Sequence, residues 1–194
     1  MTADVLPLFP LNLVLFPGCR ASLQIFESRY LRMVADCLKA QQPFVTVLIR
    51  KGKEVGMTPE IHDHGTVATI VDWNQLDNGL LGITVEGIAI AAIARPQAQE
   101  DGLLIGQVQR FESGLLKNEE PSASLVALLK SLVQHPFVIQ QQLDPDYGDL
   151  NAVLWQLCGL LPFTNQEKQV LLELSDPSQR LAHFNQLLKQ LQGD

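Results

Sequence analysis

Positive charge is scarce in this chain. Its 194 residues carry 14 Lys and Arg against 21 Asp and Glu, a formal net charge of −7. Non-specific nucleic-acid affinity comes mainly from neutralising phosphates, so a general nucleic-acid binder is not expected. The one dense basic stretch, Arg50-Lys51-Gly52-Lys53, is expected to form a solvated loop. Cysteine is equally thin: Cys19, Cys37 and Cys158 are an odd, scattered set without C-x-x-C spacing. That argues against a disulfide frame and for reduced thiols in the cytoplasm. Phe16-Pro17-Gly18-Cys19 has the look of a lipoprotein cleavage site, but no Lys or Arg precedes Arg20 and Asp4 sits near the start. Secretion is therefore not expected. No run reaches the ~20 apolar residues of a membrane span; Leu80 to Ala94 comes nearest, and Glu86 and glycines interrupt it. There is no G-x-x-x-x-G-K-[ST] phosphate loop and no G-x-S-x-G elbow, so neither ATPase nor serine-hydrolase chemistry is expected.

What is present begins at once. Leu6 to Gly18 is an apolar run broken by prolines at 7, 10 and 17, and such a run cannot be one helix. It predicts an extended segment, a Pro17-Gly18 turn and a second strand through Leu23 and Ile25. Tyr30, Leu31, Val34, Ala35 and Leu38 then recur at helical spacing, predicting an amphipathic helix over Glu27 to Lys39. Residues 44–112 read as β: Phe44 to Ile49, Thr66 to Trp73, Leu80 to Val85, Ile88 to Ile93 and Leu103 to Phe111. Asn78-Gly79 marks a hairpin of type I′, and Ile88, Ile90 and Ile93 are assigned to one face.

Composition changes at Ser113 to Ser124, where the domain boundary is placed. Leu125, Leu128, Leu129, Leu132 and Val133 follow helical spacing. Asp149 is a cap, Thr164-Asn165-Gln166-Glu167 a capping box, and Asp176-Pro177 a cap with proline at the first helical position. The fold class is α+β: a small, mostly antiparallel β pseudo-barrel with one early helix over 1–115, then a helical subdomain, about four helices, over 120–194.

The opening strand-turn-strand-helix resembles the start of the Lon protease N-terminal (substrate-binding) domain. Gly65-Thr66-Val67-Ala68-Thr69-Ile70, Val85-Glu86-Gly87 and Leu161-Pro162-Phe163 are similar to later segments of that family, as are Glu167 to Glu173 and Asp176 to Leu181. The matches keep their order over roughly residues 5–190. The departure comes after Gly87, where the family usually carries arginine and this chain has Ile88-Ala89-Ile90. The resemblance implies a PUA-like pseudo-barrel, a helical subdomain and a part in recognising unfolded polypeptide. With no phosphate loop and no sequence after Asp194 for a protease domain, a free-standing member without ATPase or peptidase domains is expected.

Several residues invite chemistry and are read against it. His62 and His64 could share one side of a strand as half a metal site. No third ligand is near in sequence, so a polar loop is expected and no metal. Asp144, Asp146 and Asp149 with Tyr147 lack the spacing of a calcium loop; His135 and His183 are read as structural. Cys37 and Cys158 are expected to be buried and inert, and Trp73 and Trp155 to be core or inter-domain contacts. No catalytic residue and no cofactor are expected. The candidate partner-binding residues are Phe26, Glu27, Arg29 and Tyr30, two aromatic anchors and two charged groups; packing of Tyr30 and helix initiation by Glu27 are the bland alternatives. The expected function is non-catalytic binding of extended polypeptide or a partner protein, with no membrane association. The alternative is a PUA-like RNA-binding module, which the acidic charge disfavours.

Overall fold

Pro7 and Pro10 both lie inside a strand, and the pairing shows how they are tolerated. In the computed structural model, which describes residues 4–111 and 120–193, β1 (Asp4–Leu11) changes partner at Leu8. Its first half pairs antiparallel with β6 (Leu104–Phe111) and its second half parallel with β3 (Phe44–Lys51). Each proline therefore sits where only one neighbour is paired, so its missing N–H need not break a two-sided ladder. Phe16 to Cys19 then forms the expected turn, closed by Cys19 N–H donating to Phe16 O at 3.0 Å with Gly18 at φ +73°. The chain continues into β2 (Arg20–Ile25) and α1 (Ser28–Ala40).

Two long strands, β4 (Glu60–Gln75) and β5 (Leu81–Ala98), complete the six-stranded sheet, whose order is β2-β5-β4-β3-β1-β6. Because β6 returns to pair with β5, five strands close into a ring and β2 hangs outside it. Leu6, Leu8, Val45, Val47, Val67, Ala91, Ile93, Leu104 and Val108 come from all five ring strands and fill the interior. Their alternate neighbours, among them Phe9, Phe44, Leu48, Ala68 and Val85, face outward into a larger core that also takes in α1 and the helices.

Three local expectations are corrected. β5 runs unbroken through Gly87, where the sequence suggests two strands. Val67 faces Ala89 and Ala68 faces Gly87, so Ile88 is the extra residue of a β-bulge and stands 50% exposed. Ile90 joins the outer core and Ile93 the ring interior, so the three isoleucines do not share a face. At Asp77-Asn78-Gly79 the hairpin is present, but only Gly79 has positive φ, and Gly79 N–H bonds Leu76 O at 2.8 Å. The loop is thus a longer turn with glycine in the left-handed position, and not type I′.

The expected boundary at Ser113 to Ser124 falls mostly on residues 112–119, outside the described residues. Beyond them come α2 (Ala123–Val133), the single turn α3 (Pro136–Ile139), α4 (Leu150–Leu160), α5 (Asn165–Glu173) and α6 (Pro177–Gly193). The caps are as read: Asp149 accepts from Asn151 N–H, Thr164 and Glu167 form a reciprocal capping box, and Asp176 accepts from Ser178 N–H. α4 is buried on nearly every side, with Trp155 stacked on Phe16 at 5.5 Å between centroids. Strands and helices thus share one apolar core.

Candidate functional site

β2 pairs with β5 on one side and with no described strand on the other. Alongside it runs a groove of about 250 Å³, lined by Phe9 and Leu11 of β1, Ser22 to Ile25, then Phe26, Glu27 and Tyr30, with Glu54 and Val55 opposite. An unpaired strand edge is a row of free backbone donors and acceptors. Here that edge borders a depression whose walls are largely apolar.

The geometry sorts the four expected residues. Phe26, at the corner between β2 and α1, is 52% exposed and points an unpartnered aromatic surface at solvent. Tyr30 is buried, its ring 4.4 Å from that of Phe9, and burial raises its phenol pKa. It forms the floor of the groove and packs α1 onto the sheet. Glu27 stands at the helix N-cap without a side-chain capping bond and pairs instead with Arg29, at 2.9 Å. Arg29 does not reach the groove. It is 6% exposed, donates to Gly102 O at 3.1 Å and lies 4.7 Å from the Tyr30 ring centre, tying α1 to the turn between β5 and β6. The structure therefore places Phe26, Glu27 and Tyr30 together at the groove and Arg29 behind them.

Glu54 and Val55 belong to the same wall and are not singled out by the sequence reading. Val55 is an exposed valine in a polar, glycine-bounded loop, which is the one signal that could have marked it. Asn12 N–H donates to the Glu54 carboxylate and ties that loop to the segment after β1. Arg50 and Lys51, expected in a loop, are instead the exposed end of β3 and are not among the groove's lining residues. Trp155 is core, as read; Trp73 is not, being 61% exposed beside the exposed Val71 on the outer part of β4.

A second depression, about 180 Å³, lies between the segment before β2 and α4–α5, with Cys19, Arg20, Asn165 and Lys168 among its walls. Lys168 donates to Gly159 O at 2.9 Å, and burial lowers its pKa. The Cys19 thiol is pushed up to about 12 and Cys37 to about 11, and Cys158 is raised as well, in each case chiefly by desolvation. A thiolate is the reactive form. Native protein should therefore leave all three cysteines unlabelled by a thiol reagent at pH 8 over minutes, with all three reacting after denaturation. Rapid labelling of Cys19 or Cys158 in the native state would contradict the burial.

His62-Asp63-His64 is not a loop. β4 begins at Glu60 and carries all three residues, and Glu173 from the end of α5 approaches them, 3.3 Å from His62 Nδ1. A third side chain of a type that could ligate a metal thus comes from a distant element, and it groups with Asp63 and His64.

Among the described residues, no helix is long and apolar enough to cross a membrane. The model of the ATP-dependent protease La (LON) substrate-binding domain matches residues 5–190. The chain is 24% identical to a Lon protease of Endomicrobium trichonymphae and 22% identical to Lon protease 2 of Bdellovibrio bacteriovorus, in each case over 95% of this chain and 24% of the relative. It thus spans about a quarter of the length of these curated relatives. Among solved structures, it resembles the Lon N-terminal domain protein from Xanthomonas campestris, with a TM-score of 0.72 and 29% identity over 96% of this chain and 98% of that one. The N-terminal domain of the Mycobacterium avium complex Lon protease shares the fold, with a TM-score of 0.58 and 16% identity over 93% of this chain and 96% of that one.

Proposed function

Since the chain belongs to the Lon substrate-binding domain family, we propose that it binds extended polypeptide, without catalysing a reaction on it, in the groove beside β2. One observation carries this reading: an unpaired strand edge and an apolar groove run side by side, with Phe26 exposed at the rim. An extended peptide can add its backbone to such an edge while its alternate side chains enter the groove. The groove walls hold Glu27, whose charge Arg29 balances, and Glu54, and neither Lys nor Arg. The favoured ligand is therefore an apolar stretch that includes a basic residue. The Glu54 carboxylate repels phosphates, and the RNA-binding alternative gains nothing from this surface. We place the protein in the cytoplasm on its reduced, scattered cysteines.

Fluorescence anisotropy with labelled apolar peptides carrying one Lys or Arg tests the reading. Phe26→Asp should weaken binding tenfold or more, about 1.4 kcal/mol, while the melting temperature stays within a degree or two of the wild type. Equal affinity for wild type and variant, or binding of an RNA oligonucleotide in place of the peptide, would sink it.

A further inference from the structure

We propose that Asp63, His64 and Glu173 form a site for a divalent cation of the zinc class, tying β4 of the ring to the end of α5. One ligand atom from each residue lies within 4.8 Å of the others, and His64 Nδ1 is 3.0 Å from Asp63 Oδ1. Around a zinc ion with bonds near 2.1 Å, tetrahedral ligand atoms stand roughly 3.4 Å apart. The His64–Asp63 separation of 3.0 Å lies just below that value and the 4.8 Å limit on the others above it, a spread that one ion could draw together.

The ligands are also held from behind. Glu173 Oε1 accepts from Gln169 Nε2 at 2.8 Å and lies 3.3 Å from His62 Nδ1. Gln169 is almost wholly buried and also donates to His64 O at 3.1 Å, which links the helix to the strand at the level of the site. The His64 ring stacks on Phe111 at 6.1 Å between centroids, which sets its plane. Such outer contacts orient metal ligands and are commonly found around metal sites. Asp63, on the solvent side, leaves the site open to entry, and the fourth position falls to water.

One imidazole nitrogen with two carboxylates suits zinc, cobalt or manganese. It offers too few oxygens for calcium, which takes six to eight. His62 is assigned as a positioning residue, since it meets Glu173 and not the other two ligands.

Isothermal titration of untagged full-length chain with Zn²⁺ gives the test, alongside thermal melts. The expected result is saturable one-to-one binding and a melting temperature that rises with zinc, as for any ligand selective for the folded state. His64→Ala and Glu173→Gln should each weaken binding tenfold or more and abolish the thermal shift. Asp146→Asn, in the acidic loop before α4, should change neither. Asp63→Asn alters only an exposed side chain and serves if another variant fails to fold. Absence of saturable binding overturns the proposal, as does affinity unchanged in His64→Ala, Glu173→Gln and Asp63→Asn. Peptide binding at the β2 groove is independent of this site and should survive all of these variants.

Discussion

Gly87→Ala is expected to destabilise the fold by about 3 kcal/mol, the upper end of the usual cost of overpacking. A methyl group at Gly87 would stand 2.4 Å from Phe16 O and 3.0 Å from the Phe16 carbonyl carbon, both backbone atoms. Neither can step aside, because the same crossing is bonded twice: Gly87 N–H to Cys19 O at 3.0 Å and Gly18 N–H to Gly87 O at 2.8 Å. Phe16, moreover, is stacked on Trp155, so any retreat of the loop disturbs α4. Gly82, on the same strand, is the internal control. A methyl there meets the tip of Leu76 at 2.8 Å, an end that can rotate away, so Gly82→Ala should cost about 1 kcal/mol. Urea denaturation of both variants measures the contrast. A Gly87→Ala loss no greater than that of Gly82→Ala would show that the Phe16–Cys19 crossing is softer than drawn.

Arg180→Ala should cost about 3–4 kcal/mol, in the range of large-to-small core substitutions. Arg180→Met should cost less than about 1.5 kcal/mol. Arg180 is only 1% exposed, its guanidinium lies 4.3 Å from the Trp155 ring centre, and Nη2 donates to Leu174 O at the end of α5. Among the described residues Nε and Nη1 find no hydrogen-bond partner, and burial lowers the pKa of the group. The charge is thus sparingly compensated, while the side chain's volume fills the space between α4, α5 and α6. Both variants leave the Leu174 carbonyl without this donor, but only alanine also leaves a cavity. Replacing it with a thioether keeps contact with Trp155 and removes a desolvated cation, a change that buried charges often tolerate. Calorimetric melts of both variants decide the matter. Equal damage from alanine and methionine would mean that the guanidinium's own bonds, and not its bulk, hold this corner.

Legibility in the sequence followed the range of the interaction. The Pro17-Gly18 turn, the Thr164–Glu167 capping box and the Asp149 and Asp176 caps are each settled within four residues, and each is found where the residues predict it. The glycines of the Gly65 and Val85-Glu86-Gly87 segments were visible as a family likeness. Their physical reason, a backbone carbonyl 2.4 Å from where a Cβ would stand, exists only once distant strands meet. Ile88 misled because a bulge shifts strand periodicity by one residue without a mark in composition. Arg29 looked available for a ligand because its acceptor, Gly102 O, lies on another turn. Glu173 was invisible to any local reading of His62-Asp63-His64 for the same reason. At the groove, the aromatic corner at Phe26 was legible and the lining valine at 55 was not.

The partner exchange within β1 has a consequence for the order of folding. Asp4 sits opposite Val108 and Leu8 opposite both Leu104 and Val45, so the first strand is finished by the last. A chain emerging from its N-terminus can form the β4–β5 hairpin locally, but it cannot close the ring until β6 has appeared. Until then Leu6, Leu8, Val45 and Val47 have no interior to enter. Closure across such sequence separation is slow, and the waiting strands are the surface most exposed to misassociation. Slow refolding, with the ring interior the last region to gain hydrogen-exchange protection, is the kinetic signature this topology imposes.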